Sequence, residues 1–393
     1  MNKVNSITIV CNDYPTKTRM MLVFVQQLVH AMIDAGMKIT VLAPQSIIHS
    51  LVHREKLLPI HSKAVTESGI EYDVYRPYIL SFGNNNKLKT ITRWFNKRVV
   101  KSKLQKIKSD VLYAHFWSNA LLIEEYASTN QIPLFVACGE GDDALEMMVV
   151  SMSKEQIKKL SSIVTGVISV SSENKRKCVE YGLSAESDVE VFPNCVDTSL
   201  FCKKNVSDFK QSLGVKDGDF VVCFIGGFIP RKGPDRIAKA IEKLNDNQVK
   251  VIFIGKEFAG YTYEFDCSGI IVKKAVSHNE LPKYLNCADV FVMPTLKEGC
   301  CNAIVEALAC GLPVISSDMP FNYDILNEQN SIMVNPMDIE EIASAIKQLK
   351  DDVVLRKRMS EYSHSRHSEY SIINRSLRIL KFMNNKVNKN SKP

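Results

Sequence analysis

Two loops in the second half of the chain carry side chains that could hold an anion and a polyol side by side. The first is Gly226-Gly227-Phe228-Ile229-Pro230-Arg231-Lys232-Gly233-Pro234. It follows the apolar run Val221 to Ile225 and leads into a helix starting near Asp235, with Pro234 suited to a first helical position. Cations such as Arg231 and Lys232 beside a helix N-terminus oppose its dipole, at about 0.3 to 1 kcal/mol each when exposed. A bound anion reverses that sign. Glycines that admit backbone N–H groups, two cations and a helix N-terminus therefore fit a diphosphate cradle. The competing reading is a solvated loop whose charge is partly offset by Asp235. The loop is neither a GxGxxG fingerprint nor a Walker P-loop, which requires GK[ST].

The second loop opens the segment PTLKEGCCNAIVEALACGLP from Pro294 to Pro313. Gly299 permits a tight turn, Asn302 can start a helix with Ile304, Val305 and Leu308 on its apolar face, and Gly311 can end it. Glu298 then lies in the loop and Glu306 about one turn into the helix. Two carboxylates so placed can accept hydrogen bonds from different hydroxyls of one extended ligand, while N–H groups at the helix start face its phosphates. An isolated glutamate would simply face solvent; the spacing is what gives this pair its specificity.

The elements that must position these loops read as a doubly wound α/β architecture. In the first half, Ser6 to Val10, a helix from about Arg19 to Asp34, and Lys38 to Ala43 form a strand–helix–strand unit with Gly36 as its helix stop. Short connections of that kind predict a parallel sheet. Val111 to Ala114, Leu134 to Ala137 and Gly166 to Val170 read as further strands. In the second half, Val221 to Ile225, Val249 to Ile254, Val290 to Met293, Pro313 to Ser316 and Ile332 to Val334 repeat the theme. Ligands bind at the carboxyl ends of strands in such sheets, which is where both loops fall. The expected domains are 1–192, a hinge at 193–206 marked by Pro193, Asn194 and Asp197, a second domain at 207–352, and helices at 353–383 that pack back on the first.

Composition agrees with two packed domains: 393 residues, 45% hydrophobic, 24% charged and 8% aromatic. The longest apolar runs are strand-length, short of the roughly 20 residues that cross a bilayer. The N-terminus reads as a first strand rather than a signal peptide. Eleven cysteines, an odd number without metal-ligand spacing, fit reduced thiols in the cytoplasm. The net charge is +7, and part of it is concentrated between Lys87 and Lys108, where nine Lys or Arg residues and no acid are interleaved with Ile91, Trp94, Phe95, Val99, Leu104 and Ile107. This basic amphipathic segment has two readings, a solvated helix with one face on the core or a surface that docks on an anionic membrane. Nucleic acid is not an expected partner, because no binding module accompanies the charge.

The segment EGCCNAIVEALACGLPVIS resembles the donor-site signature of retaining GT-B glycosyltransferases of family four, the glycosyl transferases group 1. VISVSSENKRKCVEYG, VFPNCVDTSLF, FIGGFIPRKGPD and SHNELPKYLNCADVFVMPT fit the same family in the same order, from about residue 165 to 335. The resemblance implies two Rossmann-like domains facing across a cleft, the C-terminal one holding a nucleotide-sugar. It implies that Lys232 contacts the donor diphosphate, Glu306 the ribose hydroxyls and Glu298 the transferred sugar, helped by the glycines Gly226 and Gly227 and by backbone N–H groups from Gly299 through Cys300 and Cys301 to Asn302. The family often has arginine where this chain has Gly227, and Arg231 is expected to supply that cation. Where the family frequently places a histidine near the reacting sugar, this chain has Gly139-Glu140-Gly141-Asp142-Asp143, which makes Glu140 the candidate there. On the acceptor side, Lys17 and Arg19 stand in the loop after strand one, where relatives carry a glycine pair, and His115 ends a strand beside Phe116 and Trp117.

The implied reaction is front-face transfer with retention, without cofactor, metal or protein nucleophile. Its catalytic candidates are Glu298, Lys232, Arg231 and Glu140. The donor expected is a UDP-sugar and the acceptor a cell-surface saccharide or lipid-linked saccharide. The location expected is the cytoplasm or the inner face of the cytoplasmic membrane. Two competing functions remain: a sugar-nucleotide epimerase or hydrolase of the same fold, which would turn over donor without acceptor, and a non-catalytic sugar-nucleotide-binding subunit of a polysaccharide-assembly complex.

Overall fold

The computed structural model describes residues 4–16, 21–81, 86–140, 143–257 and 263–390. The chain divides into two compact units, Met1–Phe192 with Ser376–Pro393, and Pro193–Arg375.

Unit 1 contains strands β1 (Ser6–Val10), β2 (Lys38–Leu42), β3 (Gln45–Ser46), β4 (His61–Val65), β5 (Glu71–Tyr75), β6 (Tyr78–Ile79), β7 (Val111–His115), β8 (Leu134–Cys138), β9 (Val164–Ser169) and β10 (Val189–Val191). Among the described residues, eight of them form one sheet in the order β10-β9-β8-β7-β1-β2-β5-β4, while β3 and β6 pair separately. All neighbours in the large sheet are parallel except β4, which runs antiparallel to β5 at the edge. The central strands are buried throughout, as parallel strands covered on both faces must be. The helices of this unit are α1 (Val23–Asp34), α2 (Ile47–Val52), α3 (Asn86–Leu104), α4 (Trp117–Thr129), α5 (Ala144–Val150), α6 (Lys154–Ile163) and α7 (Ser172–Glu180), of which α1, α4, α6 and α7 pack on the large sheet. The edge hairpin was not foreseen, because β4 alternates between exposed and half-buried residues and carries little apolar signal.

Unit 2 contains α8 (Ser207–Ser212), β11 (Phe220–Ile225), α9 (Pro234–Leu244), β12 (Val249–Ile254), β13 (Ile270–Lys274), α10 (Leu281–Cys287), β14 (Val290–Met293), α11 (Asn302–Ala309), β15 (Val314–Ser317), β16 (Ser331–Val334), α12 (Ile339–Asp351) and α13 (Val353–Ser365). Its parallel sheet is ordered β13-β12-β11-β14-β15-β16. The order reverses between β11 and β14, which pair directly through Val222 with Val290 and Cys223 with Phe291. Both candidate loops therefore leave adjacent strand ends at the topological switch point, the place where such sheets bind ligands.

Helix α13 belongs to unit 2, where the Ser360 and Ser363 hydroxyls donate to the carbonyls of Gly311 and Leu312 at 2.7 and 3.3 Å. Of the final helix α14 (Ile372–Asn390), only the part from Ser376 is grouped with unit 1. There Phe382 packs edge-on against Phe135 and Phe192, with ring centres 5.9 and 5.7 Å apart, and Lys386 pairs with Asp188 at 2.6 Å. The returning segment is thus shorter than the 353–383 expected, and residues 193–206 lie within unit 2. Among the described residues no helix is long and apolar enough to cross a membrane.

Candidate donor site and the cavity of unit 1

The loop after β11 folds as its glycines require. Gly233 sits at φ +75 ahead of α9, and Pro234 takes the first helical position. A Cβ on Gly233 would lie 2.3 Å from the Arg236 guanidinium. Close packing recurs at the next strand end, where a Cβ on Gly255 would lie 1.9 Å from the Gly226 carbonyl oxygen. Gly226 and Gly227 follow β11 and are half-buried.

Arg236 shows why that space is reserved. Its guanidinium is 6% exposed and donates to the Pro230 carbonyl at 2.8 Å and to the Pro294 carbonyl at 2.7 Å. One side chain thus ties the loop after β11 to the loop after β14. The backbone adds a second tie, from Leu296 N–H to the Arg231 carbonyl at 2.8 Å. A buried guanidinium is costly unless hydrogen-bonded; the two carbonyl acceptors satisfy Nη1 and Nη2, while the buried Nε has no hydrogen-bond partner among the described residues.

Those ties bring the two motifs together on Glu298. Its Oε1 accepts from Arg231 Nη1 at 2.9 Å and from Thr295 Oγ1 at 3.0 Å, and it pairs with Lys232 Nζ. Arg231 also donates to the Lys297 carbonyl. The Lys232 side chain is 16% exposed; burial works to depress its ammonium, but Cys301 and Glu298 together hold it above the ordinary lysine value. Glu298 thereby occupies the place of an anion between two cations, beside the starts of α9 and α11.

Helix α11 starts at Asn302 and stops at Gly311, φ +79. Cys301 is its capping residue, without a side-chain capping bond, so Asn302 is the first helical residue rather than the cap. The Asn302 Oδ1 atom is buried and accepts no hydrogen bond among the described residues. Gly299, Cys300 and Cys301 are buried. Burial pushes the Cys300 thiol up to about 12 and raises the Cys301 thiol as well, so neither is a ready nucleophile. Glu306 lies one turn in, 6% exposed, with Oε1 3.0 Å from His278 Nε2. His278 in turn stacks edge-on against Phe201, ring centres 5.1 Å apart.

In unit 1 the candidates are placed differently. Glu140 Oε1 accepts from the Trp117 N–H at 2.9 Å and Oε2 from the Gly139 N–H at 3.0 Å, so the carboxylate sits at the N-terminus of α4, favourable to its charge. Burial outweighs these bonds and raises its pKa. Phe116, φ +77, precedes that helix. His115 is buried among the rings of Phe24, Phe116 and Tyr113, with centres 5.5, 4.5 and 6.1 Å away. Lys17, Arg19, Gly141 and Asp142 lie outside the described residues. Glu140 does face a cavity of about 1490 Å³, walled by α2, α3, α4, α5 and α6 and by the ends of β1, β2, β7 and β8. His115 is not among its lining residues.

Thr295, Arg236 and His278 were missed by sequence reasoning. The arginine-ready gap at Gly233 and the histidine just ahead of α10 were visible as residues, but their partners are 58 and 28 positions away.

Residues 205–366 match the family described as glycosyl transferases group 1. Unit 2 carries a group 1 glycosyltransferase domain. A UDP-Gal:alpha-D-GlcNAc-diphosphoundecaprenol alpha-1,3-galactosyltransferase of Escherichia coli is 28% identical over 268 residues, covering 64% of this chain and 69% of that protein. The putative teichuronic acid biosynthesis glycosyltransferase TuaC of Bacillus subtilis is 25% identical over 352 residues, covering 86% and 87%. Among solved structures, sucrose-phosphate synthase from Thermosynechococcus elongatus superposes with a TM-score of 0.75 at 16% identity, covering 96% of this chain and 98% of that one. Anabaena HepE in complex with UDP and glucose gives 0.70 at 16% identity, covering 96% and 99%. The whole chain has the fold of these neighbours, GT-B.

Proposed function

We propose that the protein is a retaining glycosyltransferase that moves a sugar from a UDP-sugar to a saccharide or lipid-linked acceptor during assembly of a cell-surface polysaccharide, such as capsule or lipopolysaccharide. The observation that carries this reading is the Glu298 carboxylate held between Arg231 and Lys232 where α9 and α11 begin. A diphosphate entering there would take over the two cations and meet two helix N-termini, releasing Glu298 to the hydroxyls of the transferred sugar. Glu306, oriented by His278, would receive the ribose hydroxyls. The UDP and glucose bound by HepE and the acceptor named for the Escherichia coli relative support the choice of donor and acceptor.

In the reaction the bond from the anomeric carbon to the diphosphate breaks. The leaving oxygen takes the proton of the acceptor hydroxyl, and the new glycosidic bond forms on the same face. Arg231 and Lys232 stabilise charge growing on the leaving group, the largest contribution such a site makes. They supply the positive charge that a metal would otherwise bring, so transfer is expected to persist in EDTA. Unit 1 would receive the acceptor, and the basic helix α3 would keep the enzyme peripheral on the inner face of the cytoplasmic membrane.

The test is to incubate the protein with labelled UDP-sugars and lipid-linked saccharides. Label moving to the lipid fraction with the donor's anomeric configuration is the expected result. Donor turnover without acceptor would favour the epimerase or hydrolase reading, and tight donor binding without transfer to any acceptor the binding-subunit reading.

A further inference from the structure

The cavity of unit 1 is larger than the roughly 300 to 1,000 Å³ of an ordinary small-molecule pocket. Three of its wall helices share a second property. Helix α2 lines it with His49 and Ser50 and exposes Leu51 and Val52, each more than 70%. Helix α3 lines it with Arg93 and Lys97 and exposes Trp94, 57%, and Phe95. Helix α5 lines it with Leu145 and Met148 and exposes Met147 and Val150, the latter 80%. Each helix thus turns polar or apolar groups into the cavity and leaves large apolar side chains bare beside it.

Charge accompanies this apolar rim. The Arg98 guanidinium lies 4.2 Å above the exposed Trp94 ring, an aromatic–cation pair suited to a lipid headgroup layer. Exposed Arg54 and Lys56 follow α2, and exposed Lys154, Lys158 and Lys159 lie on α6 after α5. Scattered apolar tips flanked by cations suit the boundary of an anionic bilayer better than a single continuous groove would suit a protein segment. Inside, the cavity is two-sided. Leu80, Leu122, Leu145, Met148 and Met152 supply apolar wall, while Asn96, Gln156, Lys159 and the Lys97–Glu124 pair, 3.0 Å apart, supply polar wall.

We propose that α2, α3 and α5 together form a docking rim that sets the mouth of the cavity on an anionic lipid surface, so that an amphiphilic acceptor enters with its polar head in the cavity and its hydrocarbon left in the bilayer. This rests on unit 1 being the acceptor side of the transferase, and it goes beyond α3 alone by assigning α2 and α5 to the membrane contact.

The test uses the full chain with phosphatidylglycerol-rich and pure phosphatidylcholine vesicles. Wild type should sediment with the former, weakly with the latter, and lose binding as salt rises from about 0.1 to about 0.5 M. Leu51→Glu and Val150→Glu, at exposed positions off the basic helix, should each weaken vesicle binding by roughly fivefold or more while leaving the melting temperature unchanged. Of the chain's two tryptophans, Trp117 is already fully buried, so a blue shift of emission on vesicles should vanish in Trp94→Phe. Equal binding to both vesicle types, or wild-type binding by Leu51→Glu and Val150→Glu, would overturn the proposal. A thermal shift with UDP reports unit 2 separately: vesicle binding without a UDP shift would sink the transferase reading and spare the rim, and the reverse result would do the opposite.

Discussion

The two halves of the chain build their candidate sites in opposite ways. Unit 2 concentrates its chemistry on two loops that leave paired neighbouring strands, so Arg231, Lys232 and Glu298 meet because β11 lies beside β14. Unit 1 assembles its cavity from helices and strand ends spread from Asn12 to Lys159, and no short run of its sequence supplies the wall. A site made at a switch point needs few residues held rigidly, whereas a wide cavity can take its lining from wherever the chain passes. Fixed chemistry suits the former and a variable acceptor the latter.

The sharpest way to break this contrast is Lys232→Ala. If unit 2 alone holds the diphosphate, sugar transfer should fall about 100- to 1,000-fold, as when a preorganised donor to a developing oxyanion is removed. Steady-state transfer rates check it, and a loss under tenfold would move the cation role elsewhere. Next in size is Arg236→Met, which leaves the Pro230 and Pro294 carbonyls without their donor. At about 1 to 3 kcal/mol for each buried group left unsatisfied, the melting temperature should drop by several degrees. UDP affinity should fall with it, because the two loops lose their tie; calorimetry and thermal unfolding read the two effects separately. A stability loss with unchanged UDP affinity would make Arg236 merely structural.

Glu298→Gln sharpens the comparison in the other direction. Removing the carboxylate that competes for Arg231 and Lys232 should tighten binding of UDP by about tenfold, roughly 1.4 kcal/mol, while sugar transfer declines. Weaker UDP binding would mean that Glu298 orders the cations rather than standing in for an anion. The smallest effect belongs to unit 1. Glu140→Ala removes the acceptor for the Trp117 N–H at the start of α4 and for the Gly139 N–H just after β8, and should cost about 1 to 2 kcal/mol of stability, as loss of a helix cap does, with UDP affinity untouched. A large loss of transfer with wild-type stability would instead give Glu140 a part in the reaction.

The same contrast explains what could be read from the amino-acid sequence. The strand ends, the stops at Gly36 and Gly311 and the start at Pro234 were legible because each is a local rule of glycine or proline geometry. The pair Glu298 and Glu306 was legible from its spacing on one loop and helix. Arg236 and His278 were not, because a buried guanidinium and an imidazole beside a carboxylate gain meaning only from partners brought in by the sheet. Glu140 was singled out by position in a motif, and the two N–H donors that engage it come from its own neighbour Gly139 and from Trp117, which the β7–β8 pairing brings close. The edge strand β4 escaped notice because an exposed edge carries no apolar run.

The central claim is that the loops after β11 and β14 form a nucleoside-diphosphate site. Calorimetric titration of UDP into wild type and Glu306→Ala tests it most directly. A single site with a dissociation constant below about 1 mM, lost in Glu306→Ala while the variant keeps its melting temperature, is the result expected. Absence of binding by UDP and by every other nucleoside diphosphate would contradict it.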